Sequence, residues 1–330
     1  MAKPRDRTRP SVNARSLISP INVSDLKTYP LKKRHSKVRV SDFAKPWRRG
    51  GSFSLFYRTL PDILAVKTLR AVAAAIAEAH RNGRPVIAGV GAHVIKVGLA
   101  PVLVHWMEQG LVTAVAMNGA GIIHDFELAL MGHTSEEVDD EIDAGRFGMA
   151  EETGRILNDA IAQGHRNGQG MGEAVGHCIN RSKGQFPNRA TSILAAGAKL
   201  SIPVTIHVAV GTDIIHMHPS ADGAAIGATS LLDFRRLAAV VAGMEGGVYL
   251  NIGSAVVLPE VFLKTVSLGR NLGHPLSKIT TVNMDFLSHY RPLTNVVRRP
   301  TQKGGKGYSL IGHHEIMLPL LVAAVEEELG

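Results

Sequence analysis

Cysteine is almost absent from this sequence. Cys178 stands alone among 330 residues, so no disulfide can close within the chain, and the expected compartment is the reducing cytoplasm. Aromatic residues are scarce at 5%, which leaves aliphatic and small side chains to fill the core. No run reaches the roughly 18–20 uninterrupted apolar residues of a membrane-spanning helix. The basic N-terminal stretch leads into no apolar secretory core, and a soluble chain with no membrane association is expected. Two nucleotide-binding signatures are also missing. No Gly-x-Gly-x-x-Gly follows the first apolar run, and no Gly-Lys-Ser/Thr P-loop occurs, so ordinary dehydrogenase and nucleoside triphosphatase readings lose their main support.

What is present is the composition of a globular protein: 45% hydrophobic and 20% charged, with 34 glycines that let backbone segments approach closely. The net charge of +9 is unevenly placed. Residues 1–50 hold 14 Lys/Arg against 3 Asp/Glu, and the remainder is slightly acidic. Rich in Pro, Arg and Lys and without hydrophobic period, residues 1–52 read as a basic N-terminal arm that packs on a neighbouring subunit. Lys32-Lys33-Arg34 could meet phosphates or an acidic partner, but a solvated charge run is the ordinary reading, and nucleic-acid binding is not expected. Residues 53–330 read as one domain.

Within that domain, the segment from Asp62 to Gly83 has apolar residues at helical spacing and stops at Asn82-Gly83. Five short apolar runs follow, at 85–93, 112–121, 202–213, 246–255 and 279–285, each leading into Gly, Asn, Asp or His. Such runs suit fully buried parallel strands. Helical stretches separate them, at 99–109, 125–131, 149–163, 172–179, 232–243, 257–269 and 314–328. This alternation predicts an α/β fold with a doubly wound, mostly parallel, Rossmann-like sheet. The acidic segment 132–170 is the least regular and reads as an insertion or lid.

In such sheets ligands sit beyond the carboxyl ends of the strands. Gly89, Gly91, Gly119, Gly121, Gly211, Gly253 and Ser254 would let a pyrophosphate lie against the backbone there, although any one of these glycines could serve only a tight turn. Two polar clusters accompany them. In the first, His207, Asp213, His216 and His218 fall at or after a strand end. They offer either a divalent metal site or, for His216 and His218, proton transfer or hydrogen bonds to a ligand. In the second, Asn118 to Gly121 read as a loop, with His124, Asp125 and Glu127 opening the next helix; Asp125 there could simply complement the helix dipole. The stretch from His289 through Arg298-Arg299 to Lys303-Gly304-Gly305-Lys306-Gly307 reads as a glycine-rich loop, either solvated or closing as a lid. His313 is expected at the start of the last helix.

The order of these loops over residues 60–330 resembles the deoxyhypusine synthase family. LVTAVAMNGAGIIHDFELAL is similar to that family's strand, Thr-Thr-Ala-Gly-Gly loop and acidic helix start, which implies NAD contacts at Asn118, Gly119, Ala120 and Gly121 and matches Asp125 to the family's acid. GVGAHVIKVGL stands where the family has Gly-Tyr-Thr-Ser-Asn, placing Gly91, Ala92 and His93 at the cofactor. Ile202-Pro203-Val204 and Gly211-Thr212-Asp213 resemble the family's Ile-Pro-Val strand and Thr-Asp-Gly-Ser turn, Asn251-Ile252-Gly253-Ser254 its Leu-Gly-Gly-Gly turn, and Leu318-Pro319-Leu320-Leu321 its last helix.

The resemblance implies an NAD-binding, homotetrameric transferase or oxidoreductase acting on a small-molecule substrate, with an amine as the expected class. His124, Asp213 and His216 would then lie nearest the substrate. The family's Trp-Gly-Lys motif, whose lysine forms an imine, is missing, with Lys303 or Lys306 as substitutes that no motif aligns. Leu258 and Pro259 replace its paired histidines, and the basic stretch 295–307 replaces its Gly-Ser-Asp-Ser-Gly-Ala loop. Amine oxidation or aminoalkyl transfer is the leading expectation. The alternatives are a metal-dependent hydrolase or lyase using His207, Asp213, His216 and His218, and a non-catalytic nucleotide-binding protein.

Overall fold

The computed structural model describes residues 20–182 and 184–330. The chain divides into two units, Met1–Ser41 and Asp42–Gly330. Residues 1–19 of the basic arm lie outside the described residues. The described part of the first unit contains a 3-10 turn at Leu31–Lys33 with no buried side chain. The second unit begins at Asp42, inside the stretch that composition assigns to the arm.

In chain order the second unit consists of α1 (Phe53–Thr59), α2 (Leu64–Arg81), β1 (Val86–Val90), α3 (Ala92–Lys96), α4 (Ala100–Glu108), β2 (Ala114–Asn118), α5 (Gly119–Met131), α6 (Val138–Ile142), α7 (Glu151–Arg166), α8 (Met171–Arg181), α9 (Ile193–Leu200), β3 (Val204–His207), α10 (Gly223–Ala242), β4 (Val248–Ile252), α11 (Val257–Asn271), β5 (Thr280–Asp285), the single turn α12 (Tyr290–Pro292), β6 (Lys306–Ile311) and α13 (His314–Leu329). A π-helical segment, Leu293–Arg298, continues α12. The six strands form one parallel sheet in the order β3-β2-β1-β4-β5-β6. This is the doubly wound architecture expected from the alternating pattern, with a strand order shared by many dinucleotide-binding sheets.

Because side chains alternate across a strand, each strand feeds two cores. Val86, Ala88 and Val90 of β1, with Leu250, Ile252, Val282, Met284 and Leu310, meet α2, α3, α4, α5 and α13 through residues such as Ile76, Val94, Trp106, Phe126 and Leu321. The alternate residues Ile87, Ala114, Ala116 and Tyr249 meet α10 and α11 through Leu237, Val241, Leu258 and Phe262. Tyr249 stacks on Phe262 with ring centroids 3.7 Å apart and planes 5° from parallel. Burial on both faces is why β1 and β2 read as nearly unbroken apolar runs, while β3, β4 and β5 bury polar residues such as Thr205, Asn251 and Asn283 among apolar ones. Among the described residues, no helix is long and apolar enough to cross a membrane.

The edge at β3 is closed by side chains. Ile206 N–H donates to Asp233 Oδ2 at 2.9 Å, and the same oxygen accepts from Gly172 N–H at 3.0 Å. Ser230 Oγ donates to Ile206 O at 2.9 Å and accepts from Val208 N–H at 3.3 Å. A strand that would otherwise expose a ladder of amides is thereby capped.

The opposite edge corrects the sequence reading. Lys306 and Gly307, expected to end a glycine-rich loop, instead open β6, which pairs in register from Thr280–Lys306 to Asp285–Ile311. Gly305 and Gly307 are small because a Cβ there would meet Ile279 O or Val297 O. The cationic stretch therefore precedes a strand instead of forming a lid. A second correction concerns α5, which begins at Gly119 with Asn118 as its N-cap, so Gly119 to Gly121 are helical and not loop.

Candidate functional site at the carboxyl ends of the strands

The strand order reverses between β1 and β4, and the two strands send their chains to helices from neighbouring positions. A crevice at such a reversal is where open α/β sheets take ligands. At its floor Gly91 N–H donates to Ile252 O at 2.8 Å, and Gly253 N–H donates to Met284 O at 2.9 Å. A Cβ on Gly91 would collide with the carbonyl of Gly253, so only glycine fits. Gly253 has φ +67 and would carry a Cβ 2.8 Å from His314 Nε2. The two glycines thus let the ends of β1 and β4 close on one another and on His314.

Beside this floor the remaining loops stand in sheet order, those after β3, β2, β1 and β4 being consecutive neighbours. At the strand spacing of about 4.8 Å they span roughly 14 Å, a row long enough for an extended dinucleotide. Ala92 and His93 open α3, with His93 exposed. Asn118 caps α5 by accepting from Gly121 N–H at 3.2 Å. Ala120 is partly exposed on the first turn of α5. Ser254 is turned to internal support: its hydroxyl accepts from Leu258 N–H at 3.3 Å and its carbonyl from Asn251 Nδ2 at 2.8 Å. Gly211 (φ +94) and Thr212 lie exposed in the loop after β3.

Asp213 is 7% exposed and its carboxylate sits directly over Gly119, where a Cβ would collide with it. Its Oδ2 has no hydrogen-bond partner. Burial pushes the carboxyl up, partly offset by His216 and by the Thr212 hydroxyl. His216 accepts from Gly211 N–H through Nδ1 at 3.1 Å, while its buried Nε2 is unpartnered. The structure therefore brings Gly119, Asp213 and His216 together beside Gly211.

The other members of that histidine-rich segment diverge. His207 Nε2 lies 3.0 Å from Thr205 Oγ1, and burial pushes the imidazole down to about 4. His218 faces Ser220 Oγ at 2.7 Å and Glu151 Oε2 at 3.4 Å. Among the described residues no group of three or more His, Cys, Asp or Glu side chains is placed to hold a metal ion.

His124 is engaged elsewhere. Its Nδ1 lies 2.7 Å from Thr134 Oγ1, which donates to Glu127 Oε2 at 2.5 Å, and Thr153 donates to Glu127 Oε1 at 2.9 Å. Burial, and secondarily Lys96, lower its imidazole. This network borders a cleft of about 360 Å³ that also holds Glu136 and Glu152. Lys303 is exposed in the turn before β6. Since β6 runs parallel to β5, that turn lies at the amino end of the sheet, away from the crevice.

A further cluster was not selected from sequence. Asp285 ends β5 at 3% exposed, and its Oδ1 accepts from Phe286 N–H at 2.8 Å. His314, the first residue of α13, is 1% exposed with neither ring nitrogen partnered. Its Nε2 stands 3.9 Å from Asp285 Oδ1, and His289 Nε2 lies 4.0 Å from Oδ2. The rings of His93, Phe286 and His314 surround this corner at centroid separations of 5.8 to 6.4 Å. The available signal was an acid closing an apolar run and a His-His pair after a short strand, but the pair has meaning only once β6 is recognised.

Together these features define a doubly wound α/β protein whose small-residue strand ends meet at its topological switch point. No family model matches the sequence, and no curated protein matches it. Solved structures do, at low identity. A putative LOR/SDH protein from Methanococcus maripaludis is 16% identical, with a TM-score of 0.50, over 81% of this chain and 71% of that one. AgrE, solved in a ternary complex with ornithine and NAD+, is 17% identical with a TM-score of 0.51, over 82% of this chain. This chain spans 34% of AgrE and 33% of the related arginine dihydrolase ArgZ. A putative deoxyhypusine synthase from Entamoeba histolytica is 12% identical with a TM-score of 0.49, over 85% of this chain and 95% of that one. These likenesses are likenesses of fold.

Proposed function

We propose that this chain is an NAD-binding enzyme whose cofactor lies across the strand ends, with its pyrophosphate against the Gly91–Gly253 floor. The observation that carries the reading is the close approach of the Gly91 and Gly253 backbones at the switch point, where the carboxyl ends of β1 and β4 meet with no side chain at either position. Gly91, Ala92 and His93 on one side and Gly253 and Ser254 on the other would hold the diphosphate. Asn118, Gly119, Ala120 and Gly121, with Gly211 and Thr212, would line the extension toward β3. The bound nicotinamide would supply hydride transfer; the chain supplies position and exclusion of water.

The reaction class this best supports is deoxyhypusine-synthase-like amine oxidation or aminoalkyl transfer by a cytoplasmic homotetramer. Asp213 and His216, each with a buried unpartnered atom, are the residues we assign to substrate on the β3 side. We do not extend the proposal to deoxyhypusine synthesis, because the family's Trp-Gly-Lys motif is missing and Lys303 lies at the other end of the sheet. Calorimetry with NAD+ and NADH, beside mass spectrometry of the natively purified protein, tests it. Saturable heat and a co-purifying dinucleotide are expected; no heat with either form ends the proposal.

A further inference from the structure

The segment that leads into α1 is held in place, although composition reads it as the end of a solvated arm. Lys45 N–H donates to Thr59 O at 2.9 Å, and Gly51 N–H donates to Arg48 O at 3.3 Å, closing a turn in which Gly50 has φ +84. The Trp47 indole lies against the bare backbone of Gly51, where a Cβ would stand 2.5 Å from its ring. It also meets Phe56 of α1 edge-on, with ring centroids 5.6 Å apart. Supported by both, the indole is still 45% exposed. It belongs to a concave cleft of about 620 Å³ lined also by Lys45, Arg48, Arg49 and Leu55, within the roughly 300–1,000 Å³ of small-ligand pockets. Among the described residues no Asp or Glu lines this cleft, and none of its three cations makes an ion pair.

We propose that Trp47, Lys45, Arg48 and Arg49 form a binding site for single-stranded nucleic acid, with one unpaired base stacked on the indole and the flanking phosphates on the three cations. An exposed aromatic face takes any base, and guanidinium forks match phosphate oxygens. The basic run Lys32-Lys33-Arg34 alone does not imply such a site; the held indole does. A duplex keeps its bases stacked on one another and offers none to the ring. An acidic peptide matches the charge but leaves the indole without a planar partner. An anionic bilayer is engaged by the apolar face of an amphipathic helix, whereas α1 has seven residues and Trp47 lines a hollow. The unit before it in the chain, taken by itself, also exposes Lys27, Lys32, Lys33, Arg34 and Lys37, a charge excess suited to a polyanion. No strand-end residue lines the cleft, so the proposal is independent of the NAD reading.

The test uses the full-length protein and a labelled oligouridine of about 12 nucleotides, a length that covers one ordinary single-strand site. An RNA duplex of equal length, polyglutamate and phosphatidylserine vesicles are the competitors. Intrinsic fluorescence reports on the cleft directly, because the other tryptophan, Trp106, is fully buried in the core. Oligouridine should bind, quench Trp47 and outcompete all three, and its affinity should fall with salt at a log–log slope of about −2, for three phosphates neutralised on a single strand. Trp47→Ala should weaken binding about tenfold, the size of one lost stacked base, without changing that slope, and Trp47→Phe should restore most of the affinity. Arg48→Gln combined with Arg49→Gln changes two exposed side chains that the fold does not need, and should bring the slope to about −0.7. Absence of binding, equal binding of the duplex, or a slope untouched by the double variant would overturn the proposal. Displacement of oligouridine by polyglutamate or by the vesicles at lower concentration would overturn it in favour of that partner.

Discussion

Asp125 on α5 and Ser192 at the start of α9 are joined by a 2.5 Å hydrogen bond from the serine hydroxyl to Oδ2. The same carboxylate accepts from Ile193 N–H at 2.8 Å and Leu194 N–H at 3.2 Å, so it caps a helix from outside that helix. This is a structural duty for the residue that the family resemblance matched to an acid, and one distinct from complementing the dipole of its own helix. Burial dominates these bonds and pushes the carboxyl up to about 6. The folded state therefore holds a proton that the unfolded chain releases near pH 4. Stability contributed at low pH is lost as pH rises from about 4 through about 6, by roughly 3 kcal/mol at most. Asp125→Asn should flatten that decline in urea unfolding measured from pH 4 to 8; an unchanged slope would refute the assignment.

Asp233 makes a separate prediction at the β3 edge. It holds the Ile206 and Gly172 amides, and burial pushes it up to about 7. Asp233→Ala strands two buried donors and should cost about 2–6 kcal/mol. Asp233→Asn, which keeps an acceptor, should cost much less and should remove a loss of stability that otherwise continues from pH 4 to 7. Hydrogen exchange localises the effect: the Ile206 and Gly172 amides should lose protection in the alanine variant before those of β1 do.

His207 shapes the opposite limb. Held near Thr205 and 4% exposed, it is pushed down to about 4 by burial. The unfolded histidine takes up its proton near pH 6.5 and the folded one only near 4. Stability present above pH 6.5 is thus lost as pH falls through that window, by up to about 3 kcal/mol. Replacing His207 with Asn should reduce this acid-side loss, whatever the constant offset of the substitution. If the residue were instead a metal ligand, wild-type stability would rise with added zinc; the diverging partners of His207, His216 and His218 lead us to expect no such rise.

Burial explains what the sequence could and could not disclose. β1 to β5 are legible because strands covered on both faces are short, largely apolar segments that end in Gly, Asn, Asp or His. β6 escapes because, unlike the covered edge at β3, it is largely exposed, with exposed Lys306, Gly307 and Ile311 and only Leu310 buried. Only with β6 in place does parallel pairing put Lys303 at the amino end of the sheet and His314 at the carboxyl end. Gly91 and Gly253 were legible as small residues at strand ends. That they touch one another was not, since contact between them depends on β4 pairing with β1, a long-range choice that no local pattern encodes.

That contact supports the last prediction. Gly91→Ala introduces a Cβ into the Gly253 carbonyl, which is backbone and cannot swing aside, so β1 and β4 must separate at their carboxyl ends. Overpacking of this kind costs about 1–3 kcal/mol. If the floor is the pyrophosphate cradle, NAD+ affinity should fall by far more than the stability loss alone would produce, because the ligand needs the two backbones in register. Gly98→Ala is the matched control: Gly98 has φ +82 with open space around it, so it strains the backbone without touching the crevice. The expected outcome in paired calorimetry and thermal melts is that both variants lose stability and only Gly91→Ala loses NAD+ binding. Equal retention of NAD+ by both would move the cofactor away from this floor.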